Sequence, residues 1–286
     1  MIADAGLEQR ITGIARRDLR RMRPLAGGKI SRVLRLDFSS GEPLVAKVGD
    51  GGHDLRIEAY MLRYLQQHSA LPVPAVYHDE RELILMEHIA GDESLGQASL
   101  RHLGELLAAC HQIRGDAFGL ERDTLIGPLH QPNPPTASWI DFFRDQRLRY
   151  MTGVAREAGE LPPALEERLL RIAESLRDFL VEPAYPALIH GDMWRTNIIV
   201  SEGRIAGIID PALYYAHNEM ELAYMALFDG VGPEFFAAYG EILPIDSEFY
   251  ETRRHTYNLY PLLVHLIVFG EKYIAPLENS LARFGF

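Results

Sequence analysis

Cysteine is nearly absent from this sequence of 286 residues, which contains only Cys110. A single cysteine excludes an internal disulfide framework and any metal site built from several cysteines, and it suits a reducing compartment. Around Cys110, in residues 103–111, apolar side chains recur at helical spacing. We therefore expect Cys110 to be a buried structural thiol.

Long apolar runs are also missing. No run approaches the roughly 18 residues that a membrane-spanning helix needs, and residues 1–8 lack the basic and then apolar segments of a secretion signal. With 47% hydrophobic and 24% charged residues, the composition is that of a folded globular protein. The sequence therefore predicts no membrane partner and a cytoplasmic location.

Positive charge is in deficit, because 40 acidic residues face 29 basic ones and the formal net charge is −11. A net negative charge of this size repels the phosphate backbone of nucleic acids and anionic lipid, so we expect no nucleic-acid partner. The length admits one large domain or two unequal lobes. The sequence does not assign an oligomeric state.

A Walker-type phosphate loop, G-x-x-x-x-G-K-[ST], is absent, but another phosphoryl-transfer pattern is present. The run His190-Gly191-Asp192-Met193-Trp194-Arg195-Thr196-Asn197 carries Asp and Asn at the spacing of the protein-kinase catalytic loop. Asp210 follows Asn197 by thirteen residues. We interpret His190 as a structural residue of the loop, because no second His or Cys stands at ligand spacing from it.

Phosphoryl transfer needs a carboxylate to orient or deprotonate the acceptor hydroxyl, oxygen ligands for magnesium, and cations on the phosphates. Asp192 is the candidate base, and Asn197 with Asp210 offers the hard oxygen ligands that Mg²⁺ prefers. A loop aspartate that only caps the next element is the alternative for Asp192. That alternative explains none of the neighbouring residues.

Lys47 lies inside the apolar run Leu44-Val45-Ala46-Lys47-Val48, where an ammonium without a partner would be costly to bury. Glu58 follows eleven residues later, beside the apolar stripe of a predicted helix. We expect an ion pair that aims the Lys47 ammonium at the nucleotide phosphates. Alternatively, both residues are solvated surface charges.

The pattern of elements predicts an α+β fold with a small β-rich lobe over residues 1–88 and a larger, mainly helical lobe over residues 89–286. In the first lobe we expect an opening helix that ends near Pro24 and a glycine-rich turn at Gly27 and Gly28, which lets backbone approach phosphate. Antiparallel strands at 33–38 and 44–48, a helix at 54–68 and a strand at 82–89 follow.

In the second lobe, residues 197–200 and 204–209 read as a β-hairpin, which brings Asp192, Asn197 and Asp210 to one side. The predicted helices lie at about 99–114, 136–157, 162–181, 217–228, 232–241 and 246–273. Between the lobes, Met86-Glu87-His88 stands where a kinase hinge would offer backbone groups to adenine. A plain linker is equally consistent with that position.

These residues, in this order, resemble those of the protein-kinase-like phosphotransferases that include aminoglycoside and choline kinases. More narrowly, the chain resembles the fructosamine/ketosamine kinase family. The residues that carry the closer resemblance are His190-Gly191-Asp192-Met193-Trp194, Gly207-Ile208-Ile209-Asp210-Pro211-Ala212-Leu213-Tyr214-Tyr215, Phe118-Gly119-Leu120, Ile126-Gly127, Gln131-Pro132-Asn133 and the run from Trp139 to Leu148.

The resemblance implies a bilobal, protein-kinase-like fold with ATP and Mg²⁺ as cofactors. It also implies ATP-dependent phosphorylation of the 3-hydroxyl of a ketosamine, either a glycated amine or a glycated protein. Phosphorylation there makes the adduct unstable, so the implied role is deglycation. Other small-molecule acceptors, such as aminoglycosides, choline or thiosugars, would use the same machinery. A noncatalytic nucleotide-binding scaffold is a further alternative, but it has no chemical need for the base Asp192.

The chain departs from the family's pattern at two places. Where the family often has Leu-Trp-Ser-Gly-Asn, this chain has Met193-Trp194-Arg195-Thr196-Asn197, so acceptor preference is expected to differ. Glu221 stands where the resemblance leads us to expect Asp, which would shift a bracing hydrogen bond.

For the acceptor, aromatic rings close to the base are expected to form a floor under the sugar. The candidates are Trp194, Tyr214, Tyr215 and Trp139, with Arg195 beside them. Trp139 has a competing interpretation, because with Phe142 and Phe143 it also fits a core stripe.

Overall fold

The computed structural model describes residues 2–25, 31–227 and 231–286. Gly27 and Gly28 of the predicted phosphate-binding turn lie outside these ranges, so their role stays a prediction. The strands on either side of that turn are described and pair with each other. Leu25 donates its N–H to the carbonyl oxygen of Val33 at 2.9 Å.

An antiparallel sheet of five strands, in the order β1-β2-β3-β5-β4, forms the N-terminal lobe of the described chain. The strands are β1 Leu19–Pro24, β2 Arg32–Phe38, β3 Leu44–Val48, β4 Val76–Glu80 and β5 Leu83–Glu87. Sequence patterns predicted β2, β3 and β5 but missed β1 and β4. A division of the chain after His88, directly beyond β5, remains our proposal.

The opening helix is shorter than predicted. Helix α1, Ile2–Ala15, ends well before Pro24 because Arg16 has a φ of +52°, which is incompatible with further α-helix. Residues 19–24 then extend and pair with β2, with Met22 opposite Leu36. Pairing with β2 therefore determines the secondary structure of a segment whose own hydrophobic periodicity favours a helix.

The two faces of the sheet pack against different helices. On one face Leu34, Leu36 and Leu83 cluster with Ile11 of α1. Side chains of the other face, including Val45, belong to the main core together with those of helix α2, Arg56–His68. Because alternate residues of a strand point to the same face, Lys47 shares its face with Val45 and lies toward α2.

Helices dominate the C-terminal lobe, as predicted. They are α3 Gln97–His111, α4 Trp139–Phe142, α5 Tyr150–Glu157, α6 Pro163–Glu174, α7 Glu219–Leu227, α8 Pro233–Gly240, α9 Arg254–Tyr257, α10 Leu259–Phe269 and α11 Ile274–Ala282. The π-helical segment Phe143–Arg149 joins α4 to α5, and a second one, Phe249–Arg253, precedes α9. The sequence analysis did not predict α11.

Short strands in this lobe position its loops. The predicted hairpin is confirmed as β9 Ile198–Ser201 and β10 Arg204–Ile208. Two further strand pairings were not predicted: the hairpin of β6 Thr124–Ile126 with β7 Leu129–Gln131, and the pairing of β8 Ala187–Ile189 with β11 Tyr214–Ala216. Because β8 leads into residues 190–192 and β11 follows Asp210, this pairing draws the two functional segments together.

Cys110 is 1% exposed and its Sγ lies 3.5 Å from the carbonyl oxygen of Leu188. Burial raises the pKa of this thiol, which keeps it protonated and unreactive. The prediction of a structural thiol is therefore confirmed. Within the described ranges, each helix is too short or too polar to cross a bilayer.

Candidate active site

Lys47 and Glu58 form the predicted ion pair. The Nζ atom of Lys47 lies 2.6 Å from Oε2 of Glu58, in the first turn of α2. Burial by itself would lower the pKa of Lys47, but Glu58 and Asp210 raise it above its ordinary value. Burial raises the pKa of Glu58, and the adjacent Lys47 ammonium opposes that shift.

Asp210 joins this pair from the other lobe. Its Oδ1 lies 3.0 Å from Nζ of Lys47, and its side chain keeps 45% of its surface exposed. The residue has a φ of +54°, although it precedes Pro211 and a following proline favours extended backbone. Such conformations cost roughly 1–3 kcal/mol and cluster at functional sites. The fold holds Asp210 in this unfavourable conformation, with its carboxylate beside the Lys47 ammonium.

Asp192 is held by two hydrogen bonds at the end of the loop that follows β8. Tyr224 donates its hydroxyl to Oδ1 at 2.8 Å, and Asn197 donates its side-chain N–H to Oδ2 at 3.1 Å. The same Asn197 nitrogen donates to the Asp192 carbonyl oxygen at 2.9 Å. The amide oxygen of Asn197 takes part in neither bond.

The backbone joins Asn197 to the other candidate ligand. The N–H of Ile209, the residue before Asp210, donates to the carbonyl oxygen of Asn197 at 3.0 Å. The hairpin thus returns the chain to its starting point, as its pattern predicted. An amide oxygen and a half-exposed carboxylate at this point are hard donors of the kind that suits Mg²⁺.

The carboxyl group of Asp192 has a pKa raised to about 7, because burial disfavours its charge and Asp210 and Glu221 add negative potential. Hydrogen bonds from Tyr224 and Asn197 act in the opposite direction. A general base is most effective when its pKa is near the working pH. The surroundings of Asp192 therefore suit a group that accepts a proton during the reaction.

Glu221 of α7 supports the catalytic loop, residues 190–197, through hydrogen bonds to its backbone. Its Oε1 accepts the N–H of Gly191 at 2.6 Å and its Oε2 accepts the N–H of His190 at 3.2 Å. Although burial opposes ionisation, hydrogen bonds from His111 and Gly191 lower the pKa of Glu221. The side chain that departs from the family pattern thus still makes a bracing contact.

Gly191 is required by the shape of this loop. Its φ is +86°, and a Cβ atom there would stand 2.1 Å from the carbonyl oxygen of Ala212. His190 is fully buried, and its Nδ1 accepts the N–H of Asp192 at 3.4 Å. Among the described residues, no group of three or more His, Cys, Asp or Glu side chains could hold a metal. The burial of His190 and its hydrogen bond to the Asp192 backbone agree with a structural role for this residue.

The predicted hinge, Met86-Glu87-His88, lies at the end of β5 and just beyond it. Met86 is buried and pairs with Val45, while the N–H of Glu87 donates to the carbonyl oxygen of Ala75 at 2.8 Å. That N–H is therefore already used, and adenine recognition through it is not supported. The contact of the hinge with adenine stays a prediction.

Two of the predicted acceptor rings lie in the core. Trp139 is 0% exposed, packs on Phe142 and Phe143, and donates its indole N–H to the Tyr257 hydroxyl at 3.0 Å. Tyr214 is 1% exposed and its ring lies 3.9 Å from the Arg147 guanidinium carbon. We therefore correct the expectation that these two rings form an acceptor floor. Tyr215 contacts α2 instead, with its hydroxyl oxygen 3.1 Å from that of Tyr64, so we do not assign it to the acceptor site.

Trp194 and Arg195 are placed differently. Trp194 is half-buried, and its ring meets His265 edge-on at a centroid distance of 5.8 Å, while Arg195 is exposed. Further rings that sequence reasoning missed surround His265, namely Tyr224, Phe269 and Tyr273. Tyr224 lies on α7, Phe269 on α10 and Tyr273 just after α10. In such helical segments, the sequence alone does not distinguish an aromatic residue of a site from one of the core.

Comparison with known proteins identifies the family. A fructosamine kinase family model matches residues 9–284. The chain belongs to the fructosamine kinase family. It is therefore a phosphotransferase, as the sequence predicted, and a kinase of this family implies the use of ATP.

Relatives of the fructosamine kinase family span different shares of the chain. A probable ketoamine kinase from Enterococcus faecium is 33% identical over 273 residues, covering 91% of this chain and 94% of its own. One from Synechocystis is 40% identical over 184 residues, covering 63% and 60%. A chloroplastic protein-ribulosamine 3-kinase from Arabidopsis thaliana is 33% identical, covering 78% and 66%.

Solved structures confirm the predicted fold class. A protein from Thermobifida fusca described as a fructosamine-3-kinase superposes with a TM-score of 0.87 at 28% identity, covering 97% of both chains. A thermostable mutant of the aminoglycoside phosphotransferase APH(4)-Ia, crystallised with ADP and hygromycin B, has a TM-score of 0.68 at 18% identity. It covers 96% of this chain and 95% of its own, and at that identity it supports the fold alone.

Proposed function

We propose that this protein transfers the γ-phosphoryl group of ATP to the 3-hydroxyl of a ketosamine, free or attached to a protein. The observation that supports this most directly is the meeting of Lys47, Glu58 and Asp210 across the lobes, beside a hydrogen-bonded Asp192. A noncatalytic scaffold would have no use for the base. The family membership and the names of the relatives support the choice of acceptor.

In the proposed reaction, Asp192 accepts the proton of the acceptor hydroxyl while that oxygen attacks the γ-phosphorus. The bond between the γ-phosphorus and the bridging oxygen breaks, and ADP leaves with the electron pair. Tyr224 and Asn197 keep the Asp192 carboxylate in a single orientation. Positioning of this kind is the main contribution that a protein makes to phosphoryl transfer.

Lys47, held by Glu58, is proposed to bind the α- and β-phosphates. The metal-ligand chemistry of Asn197 and Asp210 fits Mg²⁺, which commonly binds through one or two carboxylates together with substrate phosphates. A bound Mg²⁺ would neutralise charge on those phosphates. Since Asp210 already contacts the Lys47 ammonium, both lobes contribute to the same charged centre.

For the acceptor, we propose that Trp194 and Arg195 line the site next to Asp192. An aromatic ring suits the apolar face of a sugar, and Trp194 lies two residues from the base. Phosphorylation at the 3-position would place a good leaving group beside the carbonyl carbon. Loss of a C1 proton and of the 3-phosphate would leave an unsaturated imine, which water would hydrolyse to release the amine. The proposed role is therefore deglycation.

The test is incubation with Mg²⁺-ATP and a panel of acceptors: a fructosyl amine, a ribulosyl amine, an aminoglycoside and choline. Mass spectrometry should detect one added phosphoryl group on a ketosamine, with the matching amount of ADP. The Asp192→Asn variant serves as the control for the chemistry. Phosphorylation of the aminoglycoside or choline with none of either ketosamine would refute the proposed acceptor.

A further inference from the structure

Helix α2 is contacted on two sides. On one side Glu58 holds Lys47 at 2.6 Å. Tyr60 and Tyr64 follow Glu58 by two and six residues, which at 100° per residue places them at roughly 200° and 240° around the helix axis. Both tyrosines therefore lie on the side away from Lys47, toward the C-terminal lobe.

Tyr64 reaches across to that lobe. Its hydroxyl oxygen lies 3.1 Å from the hydroxyl oxygen of Tyr215, and the two rings meet edge-on with centroids 6.5 Å apart. Tyr215 belongs to β11, five residues after Asp210, and pairs with Leu188 in the strand that leads into the catalytic loop. The pair Tyr64–Tyr215, hereafter the tyrosine bridge, thus links α2 to both catalytic segments.

The C-terminal end of the tyrosine bridge is firmly held. The backbone of Tyr215 exchanges two hydrogen bonds of 2.9 Å with Gly119. A Cβ atom on Gly115 would stand 2.6 Å from Cδ1 of Tyr215, so the ring has its space only because residue 115 is glycine. An anchor with fixed backbone and fixed ring can hold a partner in place.

The other end is also well packed. The ring of His68 stacks on Tyr64 at a centroid distance of 4.1 Å. Burial raises the pKa of Tyr64, so its hydroxyl stays protonated and able to donate at neutral pH. Beside it, Tyr60 donates its hydroxyl to Glu121, and the Arg122 guanidinium carbon lies 4.3 Å from the Tyr60 ring centroid.

We propose that Tyr64 is a positioning residue for nucleotide binding. Its hydrogen bond to Tyr215 holds α2 against the C-terminal lobe, so that Glu58 keeps the Lys47 ammonium aligned with Asp210. This inference rests on the phosphate-binding role proposed above for Lys47. It follows that breaking the tyrosine bridge weakens nucleotide binding more than acceptor binding.

The experiment compares Tyr64→Phe, Tyr215→Phe and the double variant, each of which removes a hydroxyl and keeps the ring. Tyr77→Phe is the matched control, because Tyr77 is 61% exposed on β4 of the same lobe. Mg²⁺-ATP affinity is measured by calorimetry, and the KM values for ATP and for the acceptor are measured separately. Thermal unfolding midpoints are recorded for all variants.

Each single variant should weaken Mg²⁺-ATP affinity by about 2- to 10-fold, the effect of one hydrogen bond, and raise the KM for ATP in parallel. The KM for the acceptor should change less than the KM for ATP. The double variant should be no weaker than the weaker single variant, because the bond can be lost only once. Tyr77→Phe should behave as the wild type.

Several results would overturn the proposal. These are wild-type affinity in Tyr64→Phe, additive losses in the double variant, or parallel changes in both KM values with a lowered unfolding midpoint. A protein that binds Mg²⁺-ATP but phosphorylates no ketosamine would refute the proposed acceptor alone, since calorimetry still tests the tyrosine bridge. A protein that binds no Mg²⁺-ATP would refute both proposals.

Discussion

The protonation of Asp192 links catalysis to stability. Its pKa in the folded protein is about 7, against 3.8 for the free side chain, because burial disfavours the charged form. Between these two pH values the folded protein keeps a proton that the unfolded chain has lost. Stability from this group is therefore complete below about pH 4 and declines as pH rises toward 7.

We predict that Asp192→Asn removes most of the activity and raises stability at pH 8. General-base assistance contributes about 10²–10⁴-fold to rate, so turnover should fall by at least about 10²-fold while Mg²⁺-ATP affinity stays nearly intact. The unfolding midpoint should rise at pH 8, and the gain should shrink at pH 5, where Asp192 is mostly protonated. Turnover, calorimetry and thermal unfolding at both pH values check this.

Asp178→Asn, at an exposed position, is the control. It should leave turnover, Mg²⁺-ATP affinity and the unfolding midpoint at wild-type values. Wild-type turnover in Asp192→Asn would exclude the base role. A stability gain of equal size at both pH values would exclude the raised pKa as its cause.

The two tryptophans show the limit of single-residue patterns. Sequence position suggested that both could contact the acceptor, yet Trp139 is fully buried and Trp194 is half-buried beside His265. A tryptophan in a helical apolar stripe fits a core equally well. Only the packing of α4 against its neighbours distinguishes a core position from contact with the acceptor.

At the scale of elements, α7 supports the catalytic loop through a chain of buried hydrogen bonds. Tyr239 of α8 contacts Nδ1 of His111 at 2.8 Å, and Nε2 of His111 contacts Glu221 at 2.9 Å. Glu221 then accepts the N–H groups of His190 and Gly191. Three helices thus determine where the backbone before Asp192 lies.

We predict that Glu221→Gln lowers both turnover and stability. An amide nitrogen would replace one acceptor oxygen and leave a buried donor opposite another donor, which costs about 1–3 kcal/mol. Turnover should fall more than Mg²⁺-ATP affinity, because the brace contacts the loop of Asp192 and not Lys47. Denaturant unfolding, calorimetry and kinetics measure the three effects.

The matched control is Glu167→Gln, on α6, whose side chain is 73% exposed. It should leave all three quantities at wild-type values. If Glu221→Gln reduced stability but left turnover unchanged, the brace would be structural only.

At the scale of the whole molecule, the functional residues come from both lobes. Lys47 and Glu58 belong to the N-terminal sheet and α2, and Asp192, Asn197 and Asp210 to the C-terminal loops. A ligand that binds across the lobes stabilises only the folded arrangement. Binding therefore adds to stability through mass action, by about 2.7 kcal/mol at a ligand concentration of 100 times Kd.

We predict that Mg²⁺-ATP raises the unfolding midpoint and that a chelator reverses most of the gain, because phosphate binding would then rely on Lys47 alone. Lys47→Met should also lose most of the gain. If ATP raised the unfolding midpoint equally with and without chelator, the proposed Mg²⁺ ligands would be contradicted. Thermal unfolding with and without each component measures these shifts.

Local patterns predicted much of the fold and of the candidate site. The spacing from Asp192 to Asn197, the hairpin before Asp210 and the isolated cation in β3 all identified residues that the structure brings together. The same patterns missed β1, β4 and the pairing of β8 with β11. β1 and β4 carry many polar side chains, while β8 and β11 are only three residues long and lie far apart in the sequence, so local periodicity carries little information about them.

The sequence by itself determined the chemistry of this protein, because side-chain type and short spacing decide which groups can bind phosphate, ligate Mg²⁺ and accept a proton. The tertiary structure alone decided the environment of those groups. The raised pKa of Asp192, the bracing by Glu221 and the tyrosine bridge all depend on burial and on contacts between residues far apart in the chain. The first two form within the folded C-terminal lobe, and the tyrosine bridge forms only when the two lobes pack together.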